Sequence, residues 1–413
     1  MPSRLFDFTA TRSIFSNRNF ALFTAGNTVS LIGTWVQRLA QGWLVWEMTG
    51  SGTWLGAIVM AEFLPTIIIT PITGTLSDRF DRRTLSVIGQ SLACLQAIVL
   101  CTVTALGLAT PQIIFMLAAF GGIVYPLVQT ARLALVPSLI DKKDMTAAVA
   151  VTAIVFNVSR IVGPAVAGFV IAGFDVATAF GVNAVSYLFV IFALLALNIE
   201  KQPPHPANRP GMMADIVDGW QYTLSHPALG PLMGLWAIVC TLSLPLQHLL
   251  PGIIDTFYGG GPKLLAAFTA TMGAAAVLAG LWMVQRSGNR GLTVITLIAT
   301  LATGAATAAF AANHMQSLAY ILIGVLGFFG AAIGTTSQTL VQTSVNDAYR
   351  GRALSVWYTA ITGGQALGAL VLGAAAERFG FGPPLIVGGF ITVFWALVLL
   401  PKRQRFAALL EKH

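Results

Sequence analysis

Long apolar stretches alternate with short polar runs along the whole chain. Stretches with little or no charge fall at about 20–47, 53–76, 84–106, 111–139, 146–172, 177–198, 229–256, 264–285, 292–311, 317–342, 352–375 and 383–401. A bilayer core about 30 Å thick is crossed by roughly 20 apolar residues in a helix, so each stretch can span one. The pattern predicts an all-α integral membrane protein with twelve transmembrane helices and little left over for an extramembrane domain.

Polar positions inside these spans are few and regularly spaced. A charge at the bilayer centre costs about 2.5–3.5 kcal/mol on insertion scales, and such groups usually face water or a partner. Arg38, Glu62, Arg132 and Arg160 fall in spans one, two, four and five, all in the first half. In span one Asn27, Ser30, Thr34, Gln37 and Gln41 recur three and four apart beside Arg38, which makes one helix face polar. Tyr125, Gln129 and Arg132 share a face of span four, and Thr335, Gln338 and Gln342 one of span ten; span eleven adds Tyr358, Thr362 and Gln365. These faces are expected to line a solvated substrate cavity, although polar residues also join helices without touching a substrate.

Glu62 is the carboxylate placed near mid-span, with Pro65 after it. It is the expected proton carrier: desolvation raises its pKa, and a nearby Arg38 or Arg160 lowers it, so moving the arginine would load and release a proton. A permanent Glu–Arg pair that only holds helices together is the other reading. Three arginines against one acid favour an anionic cargo. Gln247, His248 and Asp255 lie near the outer end of span seven; His248 could titrate near neutrality, but a lone histidine at a span end is more often an interfacial hydrogen-bonder.

Of the 413 residues 56% are hydrophobic and 9% charged, against about 25% charged in a soluble domain, which excludes a soluble enzyme. The 23 Lys and Arg against 15 Asp and Glu leave a net charge of +8, and their placement gives it meaning. Eighteen basic residues lie at the N-terminus (Arg4, Arg12, Arg18), in alternate loops (Arg79, Arg82, Arg83, Lys142, Lys143, Lys201, Arg209, Arg286, Arg290, Arg350, Arg352) and in the tail; the opposite loops hold two, Lys263 and Arg378. This bias predicts an inner (plasma) membrane protein with both termini cytoplasmic. Anionic headgroups account for the charge, and nucleic-acid binding is not expected. The cysteines Cys94, Cys101 and Cys240 sit in apolar stretches without metal-ligand spacing, so no metal or cofactor is expected. No apolar run precedes Phe20, so the first span rather than a cleavable leader is expected to direct insertion.

Between spans six and seven a spacer carries Pro203, Pro204, Pro206 and Pro210, then a short helical pattern. There Met213, Ile216, Val217, Trp220 and Leu224 share one face while Asp215 and Asp218 face away, as in a helix lying on a membrane surface; an ordinary soluble linker helix is the alternative. The expected layout is an N-terminal six-helix bundle over 1–199, a cytoplasmic linker over 200–228 and a C-terminal six-helix bundle over 229–413. At an offset of 205 residues Leu117 matches Leu322, Gly122 Gly327, Leu135 Leu340, Val136 Val341, Gly163 Gly368, Gly168 Gly373 and Phe174 Phe379. A shift of six spans keeps the membrane sense, so the repeat is parallel.

Between spans two and three stands Gly74-Thr75-Leu76-Ser77-Asp78-Arg79-Phe80-Asp81-Arg82-Arg83. It resembles the G-x-L-x-D-R-x-G-R-R loop of the major facilitator superfamily, with Asp81 where that family usually has glycine. Arg79, Arg82 and Arg83 can pair with headgroups or with acids such as Asp141 and Asp144, and the resemblance implies that Gly74, Asp78, Arg79, Arg82 and Arg83 form a gate on the cytoplasmic side, closed in the outward-facing state. The second-half loop, Gln285 to Arg290, lacks the acid, so an asymmetric gate is expected. Span five carries Asn157, Arg160, Gly163, Pro164 and Gly168, and its G-P-x-x-x-G stretch looks like the antiporter signature of exporters in this superfamily. With Pro126 and Pro137 around Arg132, and Asn346 to Arg352, the whole is most similar to the branch of enterobactin-type siderophore exporters and macrolide efflux proteins. The R-x-x-Q-G-x-G run usual in span four is missing after Arg132, so that residue does not inherit its proton role. In this superfamily spans three, six, nine and twelve, here without interior charge, take the outer, lipid-supporting positions.

The resemblance implies a proton-coupled exporter of a siderophore or drug-like small molecule, with no covalent chemistry, working as a monomer by alternating access around a vestibule shared by both halves. Uptake of a nutrient, movement of a lysolipid, or a transport-inactive receptor or scaffold are the alternatives.

Overall fold

The computed structural model describes residues 14–141, 144–198, 212–286 and 288–411, and the regular structure among them is helical. In chain order the helices are α1 (Arg18–Thr49), α2 (Gly52–Arg79), α3 (Arg82–Ala105), α4 (Pro111–Leu139), α5 (Met145–Gly173) and α6 (Val176–Ala196). A shorter α7 (Met212–Ser225) follows, then α8 (Leu229–Leu242), α9 (Leu246–Tyr258), α10 (Pro262–Val284), α11 (Leu292–Ala311), α12 (Gln316–Ser344), α13 (Asp347–Phe379), α14 (Gly382–Leu399) and α15 (Arg403–Leu410).

Among the described residues eleven stretches are long and apolar enough to cross a membrane, which makes this a multi-pass membrane protein. α1 is not one of them despite its 32 residues, because the stripe from Asn27 to Gln41 interrupts its apolar run.

Contacts divide the chain into two compact units. One comprises Met1–Leu44 and Pro65–Asn208, the other Val45–Leu64 and Arg209–His413. The turn of the α1–α2 hairpin thus packs with the second unit. There the Trp46 indole N–H donates to Asp255 Oδ2 at 2.9 Å, and Glu377 accepts hydrogen bonds from the Ser51 hydroxyl and the Thr53 N–H. A Cβ on Gly52 would lie 2.6 Å from the Gly373 oxygen, and one on Gly56 2.3 Å from that of Ala369. Such small-xxx-small surfaces let two helix backbones touch where lipid supplies no hydrophobic drive for association.

Matched positions do matched work in the two units. In the first, α3 packs on α4 and α6; in the second, α11 packs on α12 and α14. Gly163 lets α5 approach α1, a Cβ there lying 2.3 Å from Trp35 Cβ, and Gly368 lets α13 approach α8, a Cβ there lying 2.0 Å from the Thr241 oxygen. Helix ends are closed by side chains. Asp175 accepts from Thr178 N–H at 2.6 Å at the start of α6, and Glu411 accepts from Gly291 and Thr293 N–H at 2.7 and 2.8 Å at the start of α11.

One expectation changes. The seventh span is not one helix: Leu229–Tyr258 is a single apolar stretch of 30 residues, but α8 stops at Leu242 and α9 starts at Leu246. Pro245 has no N–H to continue the ladder, and Ser243 and Leu244 both donate to the Val239 oxygen at 3.0 Å. The linker helix forms as α7, docked on α13. Asp218 pairs with Arg352, Gly219 and Thr223 are buried, and Trp220 and Leu224 are exposed, so Asp218 and the Trp220–Leu224 face point in different directions. Tyr222 stacks on Tyr349 with centroids 4.2 Å apart. Met213, Asp215, Ile216 and Val217 have side chains outside the described residues, as do the prolines of the spacer.

Candidate functional site: polar clusters in each unit

In the first unit the polar positions of α1 do two kinds of work. The Arg38 guanidinium carbon lies 5.3 Å from the centroid of Trp35 and 5.5 Å from that of Tyr125, so the cation is held between two ring systems. Tyr125 in turn accepts from Gln129 Nε2 at 2.9 Å, so Tyr125 and Gln129 meet as their shared face required. Arg132, one turn on, is buried, and its Nε finds no acceptor among the described residues. Leaving a buried donor unmade is costly.

Gln37 behaves differently. Its Nε2 donates to Gln96 Oε1 at 2.9 Å on α3, and its Oε1 accepts from Asn183 Nδ2 at 2.7 Å on α6. Gly33 makes room for this junction, since a Cβ there would lie 2.1 Å from Ser186 Oγ. Gln37 therefore joins α1, α3 and α6 inside the unit. Thr34 donates to the Ser30 oxygen at 2.9 Å and lies 3.4 Å from the Tyr187 hydroxyl. Asn27, Ser30 and Gln41 are buried. Sequence reasoning missed Trp35, Gln96 and Asn183, because an aromatic or amide in an apolar helix shows its partner only after packing.

The other first-half candidates are placed as follows. Arg160 is half-buried on α5. Asn157 donates to the Ala153 oxygen of its own helix at 2.8 Å. Gly163, Pro164 and Gly168 are buried. In the gate-like loop Asp81 is the N-cap of α3, accepting from Thr84 N–H and Oγ1 at 2.8 Å each. The acid that replaces glycine closes a helix end, with φ of −59°, an ordinary value for any residue. Arg83 donates from Nε to the Leu194 oxygen at 2.8 Å and from Nη2 to that of Leu195 at 2.5 Å, so it caps the end of α6. Arg82 opens α3, and Gly74, Asp78 and Arg79 lie in the last turns of α2 with side chains outside the described residues.

In the second unit Glu62 stands half-buried on α2, three residues before Pro65. Gln338 is half-buried and Gln342 exposed on α12, the latter's carbonyl accepting from Arg350 Nε at 2.9 Å. Tyr358 is 38% exposed on α13, next to Trp357, which stacks on Trp236 at 5.5 Å. Beside the break between α8 and α9 lies a cluster the sequence had left as separate parts. Gln365 Oε1 lies 2.6 Å from Gln247 Nε2 and 3.0 Å from His248 Nε2, and Phe63 meets the His248 ring edge-on at 5.7 Å. The signal available in the sequence was Pro245 at the centre of an apolar stretch, followed at once by Gln247 and His248.

Residues 9–407 match the family described as transmembrane secretion effector, and the chain belongs to this family of major facilitator superfamily transporters. It is 22% identical to the Staphyloferrin A transporter of Staphylococcus aureus (strain NCTC 8325 / PS 47), over 94% of this chain and 98% of that protein. It is 24% identical to the Enterobactin exporter EntS of Escherichia coli O81 (strain ED1a), over 96% and 93%. Among solved structures a peptide transporter, POT, superimposes with a TM-score of 0.78 over 95% of this chain and 96% of its own, at 13% identity, which speaks to the fold alone. The chain is therefore a membrane transporter and not an enzyme.

Proposed function

We propose that this protein is a proton-coupled exporter of an acidic, siderophore-like small molecule, working by alternating access. The observation that carries the reading is the end-to-end likeness to siderophore transporters in a chain whose first-half spans hold Arg38, Arg132 and Arg160. Twelve spans arranged as two parallel six-helix halves, 1–199 and 229–413, with 200–228 between them, fit the offset of 205 residues and the matched glycines. The basic bias of alternate loops favours both termini in the cytoplasm and residence in the inner (plasma) membrane.

In this reading Tyr125, Gln129 and Arg132 on α4, Arg38 on α1 and Gln338, Gln342 and Tyr358 in the second half meet the cargo. Asn27, Thr34 and Gln41 shape the α1 face behind them. Glu62 carries the proton, with Arg38 or Arg160 setting when it is held. Gly163, Pro164 and Gly168 let α5 move against α1, and the Gly74 to Arg83 loop closes the cytoplasmic side. The protein works as a monomer in the bilayer.

The test is flux of enterobactin into proteoliposomes under an imposed pH gradient. Wild-type protein should accumulate it only with the gradient, in the direction of export. Glu62→Gln should abolish gradient-driven accumulation while expression and folding stay intact. Unchanged transport by that variant would remove Glu62 from the coupling role, and absence of any flux would favour a transport-inactive receptor.

A further inference from the structure

The transport reading gives no residue of the second half a proton-carrying role, yet His248 there stands in a prepared position. His248 lies in the first turn of α9, just past the Ser243–Pro245 break at the centre of the apolar stretch Leu229–Tyr258. Gln365, itself buried, fixes the ring. Its Nε2 donates to the Ile361 oxygen at 3.1 Å, which turns Oε1 toward α9, where it lies 3.0 Å from His248 Nε2 and 2.6 Å from Gln247 Nε2. An amide oxygen can only accept, so the network assigns the hydrogen of neutral His248 to Nε2 and makes Nδ1 the basic nitrogen. The 3.4 Å approach of Gln247 Nε2 to the same ring nitrogen is then donor beside donor. Phe63 holds the ring from α2.

We propose that His248 is a second proton-carrying residue of the transport cycle. A proton taken up from one side adds to Nδ1 and gives the ring a single positive charge while Nε2–H stays on Gln365. Loss of the same proton to the other side restores the neutral ring. The bond to Gln365 survives both states, so the ring loads and unloads without being repositioned. The break between α8 and α9 supplies a place where α9 can move relative to α8 without a continuous ladder to distort. Titratable and charged groups of the second unit with described side chains on the elements packed around His248 are Glu47 on α1, Glu62 beside Phe63 on α2, Cys240 on α8, Asp255 and Tyr258 on α9, Lys263 at the head of α10, and Tyr349, Arg350, Arg352, Tyr358, Glu377 and Arg378 on α13. Asp255 is engaged by Trp46, and Glu377 by Ser51 and Thr53. The inference rests on the proton-coupled reading above and adds a second group to it.

Two measurements on the full-length chain decide it. With ¹³C,¹⁵N-histidine protein in lipid nanodiscs, the His248 resonances, identified by their loss in His248→Gln, should report Nε2–H in the neutral ring and a titration of Nδ1 between about pH 5 and 8. A ring of constant charge over that range overturns the proposal, and this readout needs no cargo. In proteoliposomes carrying enterobactin, losing one coupled proton should lower the accumulation ratio about tenfold per pH unit of gradient in His248→Gln, with exchange in the absence of a gradient retained. Gln365→Leu, which removes the acceptor of the ring hydrogen together with the amide bond to Ile361, should displace the pH profile of flux. Wild-type protein that exchanges enterobactin but ignores the gradient overturns the coupled reading and this one with it. A gradient-responsive wild type with an equally responsive His248→Gln overturns this one alone.

Discussion

Single side chains at helix ends show how much of the scaffold depends on one protonation state. His226 precedes α8, and its Nδ1 accepts from the N–H groups of Ala228 and Leu229 at 3.3 and 3.1 Å. Partial burial pushes its pKa below the ordinary 6.5. An imidazole with a lowered folded pKa stabilises the fold above the unfolded value, and that contribution is lost as pH falls from about 6.5 through the folded value. Thermal unfolding in detergent should therefore show a midpoint that drops on acidification through this window. In His226→Phe the drop should be smaller, from a starting stability lower by about 1 kcal/mol. Asp175 works the same way in a more acidic range. The bond from Thr178 holds its carboxyl below the usual 3.8, so its cap on α6 is present above that value and fades as pH falls below it. Asp175→Ala should cost about 0.5–2 kcal/mol at neutral pH, read as a lower melting temperature. Both residues are legible in sequence as caps once the helix start is known. The partners of Gln37 and Gln365 are not, because an amide that lines water and one that joins three helices have the same spacing.

At the scale of elements, glycine placement sets which helices touch. Gly368 sits where a Cβ would meet the Thr241 oxygen at 2.0 Å and Pro245 Cγ at 2.7 Å, whereas Gly234 on α8 has nothing within 4 Å. Gly368→Ala should therefore destabilise purified protein by about 1–3 kcal/mol, while Gly234→Ala should be near neutral. Equal melting temperatures for the two variants would refute the close approach of α13 to α8. The offset of 205 residues made Gly163 and Gly368 equivalent on paper, and the helices they bring together show why a side chain is excluded at both. The break after Leu242 was less visible. Proline in an apolar span is compatible with a kinked helix or an interrupted one, and only the surrounding backbone decides between them.

For the whole molecule the charge balance of the spans makes a statement about cargo. Near mid-span in the first half the sequence sets three arginines against one carboxylate, and Arg132 Nε finds no acceptor among the described residues. Charge-assisted hydrogen bonds from guanidinium to an acidic group are worth about 1.5–3 kcal/mol. Arg38→Gln and Arg132→Gln should each weaken transport of an anionic cargo by roughly tenfold or more, measured as the half-saturating concentration in flux assays. A cationic or neutral probe should be affected far less; equal losses for all probes would make the arginines structural.

The run of apolar stretches, the basic bias of alternate loops and the Gly74 to Arg83 motif determined a helical membrane transporter of this superfamily, because hydrocarbon leaves a backbone few ways to satisfy its hydrogen bonds and so ties hydropathy to architecture. Packing decided the rest. It assigned the turn at Val45–Leu64 to the second unit, spent Gln37 inside the first, gave Asp81 and Arg83 to helix ends, and gathered Gln247, His248, Gln365 and Phe63 at one broken helix. These outcomes depend on which faces meet across residues far apart in the chain, and helical periodicity carries no information about that.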